Sequence, residues 1–261
     1  MKHYGQYCPV ARTSELLAER WTPIIIRNLL QGCTSFGELL EGAPGISRAL
    51  LAQRLESLRA ANVLTAERHP AGRGRTYRLT ERGYELKGVI DAMGSWGARW
   101  LELTARDLGP GYLLWATCRL ADVAQLPSTG LIVRIDLADR PDERYWLLLR
   151  RPQSELCSHQ PGQPEDLVVQ TDTETLARWH LRQVTYDAAV GSGRLRLDGP
   201  RVRVRAFLRC LRPSPFAQPA RLPELASRVL PDVARQRAVR QARRAMSASS
   251  SGPKGRKVAA R

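Results

Sequence analysis

The sequence predicts an α+β protein with two folded parts followed by a basic tail. In the first part, a helix with a serine at its start is followed by two short apolar-alternating segments that flank a glycine-rich turn. In residues 111–212, several strand-like segments are followed by helical ones, an order typical of an α+β domain rather than of repeated βαβ units. Residues 221–261 are basic, and their last part has the composition of a disordered segment.

The first part contains the pieces of a DNA-reading domain in consecutive order. Ser47 is predicted to cap a helix over residues 48–61, because its hydroxyl can accept a hydrogen bond from a free helix N–H, and Asn62 suits the left-handed residue that ends it. Strands over residues 63–69 and 75–80 then form a hairpin with arginine at its tip. This order indicates a winged helix-turn-helix, in which the helix enters the major groove and the hairpin lies along phosphates or the minor groove.

A family resemblance rests on four segments taken together. They are CPVARTSELLAERWTPIIIRNLL (8–30), SFGELL (35–40), PGISRALLAQRLESL (44–58) and GRTYRLTERG (74–83). These segments resemble, in the same order, those of the HxlR-type winged-helix transcriptional regulators. The resemblance implies a homodimer that binds double-stranded operator DNA near the genes it controls. It also places Cys8 in the family's CPV position, where some members sense oxidants or electrophiles.

The DNA-facing side of the helix over residues 48–61 follows from its periodicity. Four leucines fall on one side and are predicted to face the core: Leu50, Leu51, Leu55 and Leu58. On the other side, Gln53 can bond bidentately to adenine, and alanines permit close approach to a thymine methyl. Arg54 falls among the leucines, so an inward side chain paired with Glu38 is preferred over a base contact. The candidate DNA contacts are Ser47, Arg48, Ala49, Ala52, Gln53, Arg73 and Arg75, although a charged hairpin tip can also be merely solvated.

Capping residues and helix-ending glycines predict four more helices in the first 108 residues. Proline is favoured at the first helical position because its missing N–H would be unpaired there anyway, and serine or threonine commonly caps the first turn. The predicted helices run from Cys8 to about Glu19, from Thr22 to Gly32, from Ser35 to about Gly42, and from Thr80 through residue 104.

The last of these helices carries an apolar seam at alternating spacings of three and four residues. A seam of this width can pack on a partner helix. The family resemblance implies that it joins the dimer together with the N-terminal helix. The alternative is that it packs on the chain's own second domain. The candidate dimer interface is Leu86, Val89, Met93, Trp96 and Trp100.

Cys8 allows two interpretations. The positive end of a helix macrodipole favours the thiolate, which is the reactive form, so a cysteine at the predicted N-cap is a candidate redox sensor. The alternative is a structural cap that never reacts.

The second part, residues 111–215, resembles the sterol carrier protein fold in its order of helix, strands, helices and closing segment. The stretch TETLARWHLRQVTYDAAVGSGRLRLDGP carries much of this resemblance. Residues 200–211 are ambiguous, since Val202, Val204 and Ala206 alternate with arginine as in a strand, whereas Gly199 and Pro200 fit a helix start. The resemblance favours the helix.

This resemblance implies an apolar pocket between a helical layer and a sheet. The candidate lining residues are Trp115, Trp146, Leu148 and Trp179. A small apolar ligand, acting as an inducer, would be the expected occupant. The alternative is that these side chains are ordinary core residues.

The net charge of +16 is unevenly distributed. Residues 221–261 carry 11 Lys or Arg and 2 Asp or Glu, so this tail holds more than half of the excess. A basic segment is attracted to polyanions through counterion release. Compositional bias is the alternative explanation.

The predicted divisions of the chain are 1–108 for DNA binding and dimerisation, 111–215 for ligand binding, and 221–261 for the tail.

The sequence offers no recognisable catalytic or metal-binding motif, so no cofactor and no enzymatic activity are expected. The four histidines are scattered, and none of the five cysteines has a partner at CxxC or CxxH spacing. No apolar run approaches 18 residues, and the N-terminus lacks a signal-peptide pattern, so we expect a cytoplasmic protein without a membrane segment.

The predicted function is sequence-specific transcriptional regulation. The alternative is a lipid or small-ligand carrier whose first domain mainly dimerises.

Overall fold

The computed structural model describes residues 3–68, 72 and 74–217. In its first part, six helices surround one antiparallel hairpin, in which Leu64 lies opposite Leu79. A bridge between Ser35 and Thr76 attaches the hairpin to the helices. The elements are α1 (Pro9–Leu17), α2 (Thr22–Leu30), α3 (Phe36–Glu41), α4 (Arg48–Ala60), β1 (Leu64–Arg68), β2 (Arg75–Leu79), α5 (Glu81–Glu85) and α6 (Lys87–Trp100). This order confirms the predicted winged helix-turn-helix.

The predicted caps at α3, α4 and α5 are formed by side-chain hydrogen bonds. The Ser47 hydroxyl accepts a hydrogen bond from the backbone N–H of Leu50 at 3.2 Å. At α3, Ser35 and Glu38 form a reciprocal capping box. Asn62, with φ 55°, takes the left-handed conformation that follows α4. The start and end of α4 are therefore specified by the residues that flank it.

Helix ends differ from the prediction at three places. Trp21, with φ 78°, precedes α2, so Thr22 lies inside the helix and is buried rather than acting as its cap. The single helix predicted after Thr80 is divided at Leu86, whose N–H bonds to the Gly83 carbonyl three residues earlier. Helix α6 ends at Trp100 because the next residue is extended. Local hydrogen bonding, rather than the apolar period, sets these boundaries.

The core of the first part is built from α2, α3 and α4. Leu51, Leu55 and Leu58 are buried in it as predicted, whereas Leu50 is only half-buried. Arg54 points inward, but its predicted partner was wrong. Its guanidinium pairs with Glu19 at 2.7 Å and donates to the Arg20 carbonyl at 3.2 Å. The turn between α1 and α2, not α3, lies beside this face of α4.

The second part is a five-stranded sheet with helices packed on one face. Its elements are α7 (Pro110–Leu120), β3 (Leu131–Leu137), β4 (Arg144–Leu149), β5 (Glu155–Cys157), β6 (Leu167–Thr171), α8 (Thr173–His180), α9 (Tyr186–Gly191), β7 (Arg196–Asp198) and α10 (Arg201–Cys210). The strand order is β5-β4-β3-β6-β7, with β3 and β6 parallel and the other neighbours antiparallel. The ambiguous closing segment is a helix because Phe207 and Cys210, three residues apart, both reach the core.

The two cores meet at α7. Leu114 and Cys118 belong to the core of the sheet domain. Trp115 and Ala116, on another side of the same helix, belong to the winged-helix core. One helix therefore packs into both parts of the chain, so the two cores are mechanically joined.

Polar contacts to α3, made by α7 and by the segment after β4, add to this junction. Arg119 pairs with Glu38 of α3 at 3.0 Å, and the Gln153 amide donates to the same carboxylate at 2.8 Å. Burial raises the pKa of Glu38, but backbone hydrogen bonds from Thr34 and Ser35 outweigh it, so the pKa falls to about 2. The carboxylate is therefore ionised where it meets Arg119.

In the described part of the chain, no helix has both the length and the apolar character needed to cross a membrane.

The junction yields a test at Gly42. A methyl group there would lie 2.7 Å from the Trp115 ring and 2.5 Å from the Asn28 amide nitrogen. We therefore expect Gly42→Ala to lower the free energy of unfolding by about 1–3 kcal/mol through overpacking, as measured by urea denaturation. Gly111→Ala is the matched control because a methyl group on Gly111 would meet nothing within 4 Å. Equal stability of the two variants would contradict the tight contact.

Candidate nucleic-acid interface

The outer face of α4 is exposed and polar. Arg48, Ala49, Ala52 and Gln53 are all exposed, while the leucines on the opposite side are buried or half-buried. The predicted division of this helix into a core side and a solvent side therefore appears in the structure.

Two features make this face suitable for a base edge. Within the described residues, the Gln53 amide has no hydrogen-bond partner, so its donor and acceptor are both available. The Arg48 guanidinium lies over the Phe36 ring at 5.3 Å, which holds the cation at the beginning of α4. The Ser47 side chain, by contrast, is used in capping.

One acidic residue on α4 is neutralised by its neighbour. The Arg59 guanidinium donates two hydrogen bonds to Glu56, at 2.6 and 2.9 Å. The hydrogen bond from Arg59 lowers the pKa of Glu56, so the carboxylate stays ionised and paired. This pair reduces the repulsion that an isolated carboxylate would exert on a phosphate backbone.

The hairpin adds a cationic edge beside α4. Arg75 is exposed at the start of β2, and its register partner across the hairpin is the exposed Arg68. Like charges directly opposite each other repel, and an anion between them would relieve this repulsion. Arg68 was missed by sequence reasoning, although the hairpin register pairs it with Arg75. Arg73 lies outside the described residues.

Helix α6 presents different residues on different sides. Ile90 is buried in the winged-helix core, and Gly94 lies against the Phe216 ring of the second part. Val89, Met93 and Trp96 have 40%, 50% and 59% of their surface exposed. Of the other predicted interface residues, Leu86 is half-buried against the core and Trp100 is 47% exposed.

Cys8 occupies the position before α1 and is half-buried. Its side chain makes no capping hydrogen bond, and the neighbouring Tyr7 and Val10 are 97% and 73% exposed. Three other cysteines, Cys33, Cys118 and Cys210, are buried. Burial raises the pKa of the Cys33 and Cys210 thiols to about 11 and disfavours their thiolates.

A cavity of about 440 Å³ lies between the sheet and the helices of the second part. Apolar side chains dominate its lining, including Leu114, Leu147 and Phe207. His180 adds a polar group, and burial lowers its pKa to about 4, so its imidazole is neutral near pH 7. Thr117, Thr185, Arg182 and Arg212 also border the cavity, so a small, largely apolar molecule with a polar group at one end would suit it.

Only one of the four candidate pocket residues lines this cavity, and that residue is Trp179. Trp115 packs in the winged-helix core instead. Trp146 and Leu148 are buried but alternate along β4 with the cavity-lining Leu147, so they point to the opposite face of the sheet. Sequence reasoning identified the apolar segments but not which residues faced inward. Among the described residues, no group of His, Cys, Asp or Glu could hold a metal ion.

Known proteins resemble this chain in its first part. Residues 16–105 match the family described as HxlR-like helix-turn-helix. An HTH-type transcriptional regulator of Synechocystis is 34% identical over 99 residues, covering 38% of this chain and 73% of the relative. The HTH-type transcriptional regulator YodB of Bacillus subtilis is 33% identical over 97 residues, covering 36% of this chain and 87% of YodB.

Solved structures include the reduced form of YodB from B. subtilis, with a TM-score of 0.33 and 32% identity over 37% of this chain and 97% of that one. The redox regulator HypR in its reduced form has a TM-score of 0.34 and 27% identity over 35% of this chain and 92% of that one. The family match ends at residue 105, before α7 begins. By its first domain, the chain belongs to the HxlR-like helix-turn-helix family of DNA-binding transcriptional regulators.

Proposed function

We propose that this regulator binds an operator sequence as a homodimer, with α4 of each copy in the major groove. The observation that carries the proposal is the exposed face of α4, where Gln53 has no partner among the described residues and the neighbouring alanines leave room for bases. Phosphate contacts fix the position of such a helix, whereas base contacts select the sequence.

The proposed contacts fall into two kinds, base contacts and phosphate contacts. Gln53 reads a base edge, and Ala49 and Ala52 allow the helix to approach it. Arg48 at the beginning of α4 suits a phosphate or a guanine. Arg75, together with Arg73 from the sequence prediction, holds phosphates along the hairpin.

Gln53→Ala should reduce sequence preference by about 1–3 kcal/mol on the best site, because a bidentate base contact is lost. Arg75→Ala should weaken all duplexes alike and reduce the slope of log affinity against log salt by about one unit. Fluorescence anisotropy on the best site selected from a random library and on a scrambled duplex distinguishes the two effects. Gln163→Ala and Arg194→Ala change exposed residues of the second domain and serve as controls. If Gln53→Ala weakened the selected and scrambled duplexes equally, the base-reading role would be wrong.

The proposed dimer interface is the exposed side of α6, and its occupant is a second copy of this chain. Val89, Met93 and Trp96 form an apolar strip that a monomer would leave in water. Tyr7 and Val10 expose further apolar surface at the N-terminal end, in agreement with a contact that includes α1. A symmetric dimer would bury both strips and set the spacing of the two α4 helices.

Met93→Glu combined with Trp96→Glu should yield a monomer that binds half-sites weakly, because the dimer contact would then bury unpaired charges. Both side chains are about half exposed within one chain, so the fold should tolerate the change. Sedimentation velocity gives the mass in solution. Val190→Glu changes an exposed valine of α9 and is the control. A double variant that sediments like the unchanged protein would place the interface elsewhere.

Cys8 is the proposed sensor thiol of this regulator. It lies directly before a helix and beside exposed residues of the proposed dimer contact. Among the similar structures, YodB is in a reduced form and HypR is described as a redox regulator, which agrees with this role. Limiting iodoacetamide should label Cys8 before Cys33 and before the half-buried Cys157, and Cys8→Ser should bind DNA but lose the response to oxidant. Mass spectrometry measures the rates, and labelling of Cys33 or Cys157 at the same rate would reduce Cys8 to a structural residue.

The second domain is proposed to bind a small apolar ligand, in keeping with its resemblance to the sterol carrier protein fold. The ligand would occupy the cavity bounded by Leu114, Trp179 and Phe207. Because Leu114 lies on α7 beside Trp115 of the other core, occupancy could be transmitted to the winged helix.

Nile red, a neutral apolar fluorophore, should bind saturably with enhanced emission. Val184→Phe narrows the cavity and should weaken this binding several-fold, while Val190→Phe, which does not border the cavity, should leave it unchanged. Equal binding by both variants would mean that the cavity does not accept such ligands.

A further inference from the structure

The solvent-facing side of α10, which lies outside the winged-helix part, carries a row of arginines. Arg201, Arg205 and Arg209 follow at intervals of four residues, so they lie within about 80° of one another around the helix. All three side chains are exposed. Within the described part of the chain, none of the three guanidinium groups has an ion-pair or hydrogen-bond partner.

Other arginines of the same domain differ in this respect. Arg150 and Arg178 are neutralised by Glu155 and Glu174, at 2.9 and 2.8 Å. Around α10, the sequence from residue 199 to residue 223 contains six arginines and no aspartate or glutamate. The acids that do lie near α10 pair with other arginines: Asp166 with Arg203, and Asp122 with Arg212.

A groove of about 680 Å³ runs beside this row. Arg203, Arg205 and Arg209 border it from α10, and Gln125 and Thr129 border it from the opposite side. Its lining includes amide, hydroxyl and guanidinium groups but no carboxylate. These are the side chains that commonly hydrogen-bond to phosphate oxygens.

We propose that α10 is a second DNA-binding surface, which holds the phosphate backbone of duplex DNA through Arg201, Arg205 and Arg209. The row spans about 12 Å at 1.5 Å per residue. Over the same distance along a duplex, one strand presents about three to four phosphates, at one per 3.4 Å. The row therefore lies over enough phosphates for each of the three cations to contact one, and such contacts are independent of base sequence.

An anionic membrane surface fits α10 less well. A helix that lies in a membrane interface needs a free apolar face. The apolar face of α10 is already occupied, because Phe207 and Cys210 are buried in its own domain. Among the described residues, Val202 is the one large apolar side chain that α10 exposes. DNA, by contrast, needs only the charged side.

The test compares two triple variants of the full chain with the same change in charge. The first is Arg201→Ala, Arg205→Ala and Arg209→Ala. The matched control is Arg140→Ala, Arg150→Ala and Arg178→Ala, which removes three ion-paired surface arginines from the same domain. Alanine favours helix, so the α10 variant should retain its fold, and circular dichroism checks this.

Affinity for a long duplex that carries the best site and its flanks is measured over a range of salt concentrations. The α10 variant should reduce the slope of log affinity against log salt by about two to three units, since each lost phosphate contact contributes about 0.9. The control should change the slope by less than one such contact, and preference between selected and scrambled DNA should be unchanged in both variants.

The proposal is overturned if the α10 variant keeps the slope of the unchanged protein, or if the control reduces it as much. Loss of binding to phosphatidylserine vesicles with an unchanged DNA slope would also overturn it and indicate a membrane surface. Because the proposal rests on DNA binding by the winged helix, Gln53→Ala is measured in parallel. Loss of sequence preference there, with no slope change in the α10 variant, would refute the second surface alone.

Discussion

The close contact between Trp115 and Gly42 is the constraint on which the arrangement of the two cores depends. The indole approaches the backbone at the end of α3, where any side chain larger than hydrogen would collide with it. Around this contact, Arg119 and Gln153 bind the ionised Glu38 that also caps α3. Helix α3 is consequently held from both sides. Since α3 precedes the turn into α4, the sheet domain contacts the small helix that directly precedes α4.

The pairing of arginines, more than their number, distinguishes the charged surfaces of this protein. Arg54, Arg119 and Arg134 are held by carboxylates and serve the fold. On the hairpin, Arg68 lies opposite Arg75, so the fold places two like charges directly across from each other. Such an arrangement costs stability in isolation and is relieved by a polyanion. The net charge alone would not have located this surface.

Helix α6 packs against two neighbours and leaves a third side exposed. Ile90 packs in the winged-helix core, while Gly94 allows the Phe216 ring to approach from the second domain. The three-and-four spacing of the apolar seam predicted packing either on a partner copy or on the second domain. In the structure, the side that contacts the second domain is lined by Gly94, Gly97 and Ala98, and the larger apolar side chains Val89, Met93 and Trp96 remain on another side. Small residues permit the close contact, which leaves the large ones exposed.

Local patterns determined much of this protein. Ser35, Ser47 and Asn62 act through hydrogen bonds and backbone preferences within a few residues, so the helices of the DNA-reading domain and the hairpin could be predicted. For the ambiguous residues 200–211, the resemblance to the sterol carrier protein fold favoured a helix, and the structure has a helix over Arg201–Cys210. Tertiary structure alone decided which partner Arg54 would find, and it placed Trp115 in the first core rather than in the cavity. Those outcomes depend on contacts between residues distant in sequence, for which neither a helical period nor a strand alternation carries information.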